Sequence, residues 1–283
     1  MSRRARSRVP SLTTVRKRLK RFEAFVPAPP KDTDTIPIDM CGIPAVRVDV
    51  VQARKDRCIL FFHGGGYSIG SAALYQDFMW RIGKGARASV VYFDYRLAPE
   101  HRFPATLDDA IQINDWIITH FDPAKVAFLG DSAGGGLALA ALHKLRDQRR
   151  VLPRAVVAIS PWTDLALTGQ SLRSNAKLDP MLVAAHFPAI AKRYLGEADP
   201  RNPYASPLYG NPAGFPPALI QVGSDEVLLD DAIRMADKMR NAECEVEIEV
   251  WPRMPHAWHL YARILPEGRE AIDRIGRFLD RWL

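Results

Sequence analysis

An α/β fold with a mostly parallel central sheet flanked by helices is what this 283-residue sequence predicts, on three observations. Strand-like and helix-like segments alternate from about residue 46 onward. Most of the strand-like segments are continuous β-branched or apolar runs, the pattern of strands covered on both faces. A glycine-flanked serine stands where one such strand meets an apolar helix. In chain order, "AVRVDVV" alternates and reads as an outer strand. "CILFF", "ASVVYF", "KVAFL", "AVVAIS", "ALIQVG" and "VEIEVW" follow as strands. Between several of them lie helical patterns such as "TLDDAIQINDWIITHF" and "LLDDAIRMADKMRNA", and the chain closes on the amphipathic "EAIDRIGRFLDRWL". Residues 165–217 interrupt the rhythm with a Pro- and Asn-rich stretch around a helix near 180–195. An insertion there belongs above the carboxyl ends of the strands, where α/β sites form.

Composition excludes several classes. No segment approaches the apolar length of a transmembrane helix, and the amino terminus has no continuous apolar stretch of a secretory signal. A cytoplasmic location without stable membrane insertion is the expectation. Three cysteines, Cys41, Cys58 and Cys244, lack the spacing of a disulfide framework or a zinc site. The net charge is +7, but residues 1–22 hold nine basic residues (Arg3, Arg4, Arg6, Arg8, Arg16, Lys17, Arg18, Lys20 and Arg21) and no acid. Subtracting those nine from +7 leaves the rest of the chain at −2, so a nucleic-acid groove is not expected. Leu12, Val15, Leu19 and Phe22 fall three or four apart, which suggests a basic helix whose apolar stripe docks on the protein.

The serine lies in "AFLGDSAGGG", with Gly130-Asp131-Ser132-Ala133-Gly134 forming G-x-S-x-G. Small neighbours are what a sharp strand-to-helix turn demands, and such a turn exposes the hydroxyl of Ser132. A serine nucleophile requires a base, an orienting acid and donors for an oxyanion. "FFHGGGYSIG" follows the strand "CILFF", and its glycines let backbone N–H groups turn toward developing charge, with His63 as a brace of the loop. Of the seven histidines, His256 and His259 come just after the last strand; His256, nearer the strand end, is taken as base and His259 as a packing histidine. His101, His120, His143 and His186 are assigned to solvent or packing. For the acid, Asp225 stands two residues beyond the glycine that ends "ALIQVG". Glu226 is expected to point elsewhere, and Asp230 and Asp231 to favour a helix amino terminus by their charge. Ser132, Asp225 and His256 follow the nucleophile-acid-histidine order of α/β-hydrolases.

"HGGGY", "DYRLAPEHRFPA", "GDSAGG", "SPWTDL", and "GSDEVLLDDA" followed by "MPHAWH" resemble the hormone-sensitive-lipase-like family of bacterial carboxylesterases over residues 45–283. The resemblance implies an α/β-hydrolase core with a small helical cap. It divides the chain into an N-terminal basic segment, 1–45, that forms part of the cap, and a catalytic domain, 46–283, with a cap insertion near 165–210. It implies Ser132 as nucleophile, His256 as base and Asp225 as its partner, with oxyanion N–H groups from Gly64, Gly65 and Ala133. Tyr95, Arg96 and Glu100 would support the site from behind.

The activity this implies is hydrolysis of small uncharged, short- to medium-acyl esters through an acyl-enzyme, with a small-molecule ester as partner and no metal or organic cofactor. A lactonase or deacetylase with the same machinery, or a ligand-binding member of the fold without chemistry, stay open as alternatives. A homodimer is left open as well.

Overall fold

The computed structural model describes residues 11–283; Arg3, Arg4, Arg6 and Arg8 of the basic segment lie outside the described residues. Helix α1 (Leu12–Glu23) begins where the Ser11 hydroxyl accepts the Thr14 N–H at 3.2 Å, an N-cap that satisfies one of the helix's orphan donors. Strands β1 (Thr33–Met40) and β2 (Ile43–Val50) form an antiparallel hairpin. There follow β3 (Arg54–Phe62), α2 (Ala72–Ala86), β4 (Ala88–Phe93), α3 (Ala105–His120), β5 (Val126–Asp131), α4 (Ala133–Asp147) and β6 (Ala155–Ile159). The chain continues through α5 (Ser171–Ser174), α6 (Phe187–Leu195), β7 (Ala218–Gly223), α7 (Leu229–Asn241), β8 (Val246–Trp251) and α8 (Pro266–Trp282).

All eight strands join one sheet in the order β1-β2-β4-β3-β5-β6-β7-β8; β2 is antiparallel to both neighbours, and every other pairing is parallel. The continuous apolar runs follow from this layering. In β3, Leu60 and Phe62 pack beneath α3, α4 and α7 with Phe128 and Met235, while Ile59 and Phe61 pack beneath α2 and α8 with Phe78 and Ile275. Successive side chains point to opposite faces, so a strand covered on both must be apolar at every position.

One boundary differs from expectation. Residues 1–45 are not one cap segment, because Thr33–Met40 is a sheet strand. Its "TDTIPIDM" is half exposed and carries Pro37, which lacks the N–H of a ladder bond and is tolerated because β1 is an edge strand. The opposite edge is β8, whose glutamates lie on the side of α8, where Glu247 pairs with Arg281 and Glu249 with Arg274 of that helix. As an edge strand, "VEIEVW" buries none of its residues fully.

The stretch between β6 and β7 carries α5 and α6 across the carboxyl ends of the strands. Tyr194 of α6 stacks on Tyr67 with ring centroids 3.8 Å apart, tying this layer to the loop after β3. Helix α1 reaches the same edge, held by Arg16, whose guanidinium donates to both oxygens of Glu100 at 2.6 and 2.9 Å and to the carbonyls of Ser68 and Ala98. The Arg16 side chain lowers the Glu100 carboxyl to about 2 through that hydrogen bond. Glu100 thus anchors α1 rather than supporting the serine directly. The pair is largely open to solvent, which screens it.

Candidate active site

The turn between β5 and α4 holds Ser132 at φ 54°, ψ −122°, a conformation costly for any residue with a side chain. Its backbone is pinned in place: its N–H donates to the Ile159 carbonyl at 2.8 Å, and its carbonyl accepts from Trp162 and Gly136. The flanking glycines are required by close backbone approach. A Cβ on Gly130 would overlap the Gly134 carbonyl, and one on Gly134 would overlap the carbonyls of Phe62 and His63. Ala133 is the first residue of α4, so its N–H has no acceptor within the helix and points outward at the positive end of the helix dipole.

His256 follows β8 and is 8% exposed. Its Nδ1–H donates to Oε2 of Glu226 at 2.8 Å, which fixes the tautomer and leaves Nε2 free for a second partner. The other Glu226 oxygen accepts from the Ser160 hydroxyl and the Gly223 N–H, both at 2.6 Å. Glu226 is wholly buried. Here the structure corrects the expectation for the acid. Asp225 is partly exposed, and its carboxylate accepts from the neighbouring Ser224 hydroxyl at 2.9 Å. The chain turns sharply after Gly223, so residues 225 and 226 project to opposite sides, and Glu226 is the one folded back under the histidine.

Burial lowers the pKa of His256, but the hydrogen bond and charge of Glu226, with the charges of Asp131 and Asp179, outweigh it and leave the imidazole above its ordinary 6.5. A base acts only when unprotonated. The expected kcat/KM with a neutral substrate therefore rises with pH through a limb above 6.5, and Glu226→Gln shifts that limb toward acid because burial then acts with less opposition. A pH–rate profile of both proteins checks this; a parent limb at or below 6.5 would contradict it.

The glycine loop after β3 needs a second correction. The Gly64 N–H already donates to Oδ1 of Asp131 at 2.7 Å and to the Tyr75 hydroxyl at 3.0 Å, so it is not available to an oxyanion. Gly65 and Gly66 line the cavity instead, and among the described residues their N–H groups have no acceptor. Residue-type reasoning passed over Asp131. Its other oxygen accepts from Tyr75 at 3.1 Å, and burial raises its pKa to about 6 against the pull of His256, Gly64 and Tyr75. It holds the glycine loop to the serine turn. The available signal was an acid at the buried end of a strand, where a lone charge would need donors.

His63 sits behind the loop, stacked on Tyr95 at 3.9 Å, with Nδ1–H donating to the Gly64 carbonyl at 2.7 Å and its own carbonyl accepting from Tyr95 at 2.6 Å. Burial pushes it down to about 4, so it is neutral. Arg96 pairs with buried Asp109. His259 is packed away from the cavity, donating from Nε2 to Gln221 at 2.7 Å, and is pushed down to about 3 by burial and by His256. His143 donates to the Pro207 carbonyl in the core, and His120 stacks on Trp116. His186 differs from its assignment: it lines the cavity. Asp231 is buried and accepts the N–H groups of Thr163 and Asp164 at 2.8 Å, so it anchors the loop after β6 rather than serving only as helix-end charge.

Ser132, Asp131 and His256 share the wall of one cavity of about 320 Å³. Its other walls are mostly apolar: Trp162 from the core, Phe187 and Ile190 from α6, and Leu12 and Val15 from α1. Such a site can bind a small uncharged group beside a hydroxyl, an oriented imidazole and convergent N–H donors. That set of groups suits acyl transfer. Among the described residues no group of three His, Cys, Asp or Glu side chains is arranged to hold a metal ion.

The chain is similar to known proteins in sequence and in fold. A family described as α/β hydrolase fold matches residues 59–260. An acetyl-hydrolase of Streptomyces hygroscopicus is 43% identical over 248 residues, 87% of this chain and 82% of its own. An esterase of Acinetobacter venetianus is 32% identical, over 86% and 80% of the two chains. The crystal structure of an esterase from the bacterial hormone-sensitive lipase family superposes with a TM-score of 0.94 at 41% identity, covering 99% of this chain and 95% of that one.

Proposed function

Since this chain belongs to the α/β-hydrolase fold family, in its bacterial hormone-sensitive lipase branch, we propose that it is a serine carboxylesterase acting on small uncharged esters through a Ser132–His256–Glu226 acyl-enzyme. The observation that carries the reading is the buried Glu226 carboxylate holding Nδ1 of His256, with Nε2 left for the serine that shares its cavity. Nε2 takes the proton as the Ser132 oxygen attacks the ester carbonyl. Glu226 stabilises the imidazolium that results, and does so without becoming protonated. The tetrahedral oxyanion accepts from the N–H groups of Gly65, Gly66 and Ala133. Collapse breaks the ester bond, and the departing alkoxide takes the proton from His256. A water, deprotonated by the same nitrogen, then attacks the acyl group; collapse breaks the bond to Ser132, whose oxygen takes the proton back from His256 as the carboxylic acid leaves.

Substrate size is read from the cavity. A volume of about 320 Å³ is at the small end for ligand pockets. The name of the Streptomyces relative, an acetyl-hydrolase, agrees with a short acyl group. A series of p-nitrophenyl esters of graded acyl length, run beside lactones and an acetylated amine, tests this. We expect kcat/KM to be highest for short to medium acyl chains. Faster turnover of lactones or of the amide would overturn the substrate assignment while leaving the triad in place.

Leu12 and Val15 close one side of the cavity, yet α1 buries none of its residues fully and is held by a few polar contacts of Arg16 and Glu23. Deleting residues 1–22 should therefore leave the core folded, raise KM for short esters and shift the profile toward longer chains. Comparison of full-length and truncated proteins at equal folded concentration checks it; identical profiles would assign α1 no part in substrate binding.

A further inference from the structure

Large apolar side chains left exposed by the fold gather beside the cavity. Phe22 and Phe25, 57% and 78% exposed, line a second groove along α1, whose far wall includes Leu260 and Tyr261. Those two residues also line the cavity of Ser132. Met181, on that cavity wall, receives the Tyr261 hydroxyl at its sulfur, and Ile264, 78% exposed, follows one turn after Tyr261. A soluble monomer rarely leaves so contiguous an apolar rim without a use for it.

Cations without ion-pair partners stand on the same helix and the same loop as these side chains. Lys17, Arg18 and Arg21 of α1 and Arg263 are exposed and make no ion pair among the described residues. Residues 1–10 contain four arginines and no acid, so they bring no neutralising charge. Arg18 and Arg21 stand four and one residues before Phe22, so two unpaired cations lie close to this exposed ring on α1. A second copy of the chain would set these same unpaired cations against one another, and a neutral apolar partner would leave them unused. Negative charge next to hydrocarbon answers both features.

We propose that the rim formed by Phe22, Phe25, Tyr261 and Ile264, with the cations of α1, is a docking face for an anionic lipid surface. Docked there, the cavity mouth opens toward the hydrocarbon, from which an ester substrate passes to Ser132 without crossing water. That last step rests on the esterase reading; the docking itself does not, and it is measured without substrate.

The experiment is co-sedimentation of the full-length protein with vesicles of phosphatidylglycerol and phosphatidylcholine, and with phosphatidylcholine alone. The protein should pellet with the first, stay in solution with the second, and be released by high salt, which screens exposed charge. Arg18→Glu with Arg21→Glu should weaken binding by roughly thirtyfold or more, at about a fivefold loss for each basic residue near a charged surface. Ile264→Ser with Phe25→Ser should weaken it by roughly tenfold or more, through lost apolar burial. The charge-reversed protein and an Ile264→Ser protein should keep the parent kcat/KM on a dissolved ester, which certifies their fold. The proposal fails if the protein stays in solution with anionic vesicles. It also fails if the serine variants bind as tightly as the parent, since only attraction to polyanions would then remain. A dimer in solution that these substitutions dissociate would give the rim to a second copy instead.

Discussion

Ser132→Ala should lower kcat by on the order of a million-fold, because the members of a nucleophile-base-acid set act as one unit and the loss of the nucleophile removes the whole of it. The fold should survive. Every hydrogen bond that pins the turn, to Ile159, Trp162 and Gly136, is made by the backbone of residue 132 and is kept by alanine. The positive φ suits alanine no worse than serine. A thermal melt near that of the parent, with ester turnover near the uncatalysed rate, is the expected pair of results. Substantial turnover by a folded Ser132→Ala protein would end the nucleophile assignment.

Glu226→Gln should lower kcat by on the order of ten-thousand-fold, as a neutral amide neither holds the productive tautomer of His256 nor stabilises its positive form. Asp225→Asn should leave kcat close to that of the parent, because the Asp225 carboxylate meets only the Ser224 hydroxyl at the protein's surface. The contrast between adjacent residues is the informative measurement. Glu226 also accepts from Ser160 and Gly223, so its replacement carries a structural cost as well. The acidward shift of the pH–rate limb separates the two effects, since looser packing alone would not move it in that direction. Loss of activity in Asp225→Asn with retention in Glu226→Gln would restore the sequence-based choice.

What could be read from residues alone was whatever periodicity and local sterics determine. Strands β3, β5, β6 and β7 are covered on both faces, so their apolar runs stood out. The turn at Ser132 needs small residues at 130 and 134, which made it legible within five positions. The loop after β3 and the histidine after β8 were found because an α/β sheet delivers the ends of its parallel strands to one edge. β1 was missed because an exposed edge strand with a proline carries little apolar signal.

The rest depended on direction in space. Asp225 and Glu226 are chemically alike and adjacent, and only the turn after Gly223 decides which is folded under His256. Gly64, Gly65 and Gly66 are identical in sequence. The Asp131 carboxylate that consumes the first N–H lies 67 positions away and is placed by pairing of β3 with β5. The sequence by itself determined the class of fold and singled out Ser132 and His256, because each is marked by a pattern of a few neighbouring residues. The tertiary structure alone decided which carboxylate meets His256, which N–H groups of the glycine loop stay unpaired and what walls the cavity, because each depends on how distant segments converge at the carboxyl edge of the sheet.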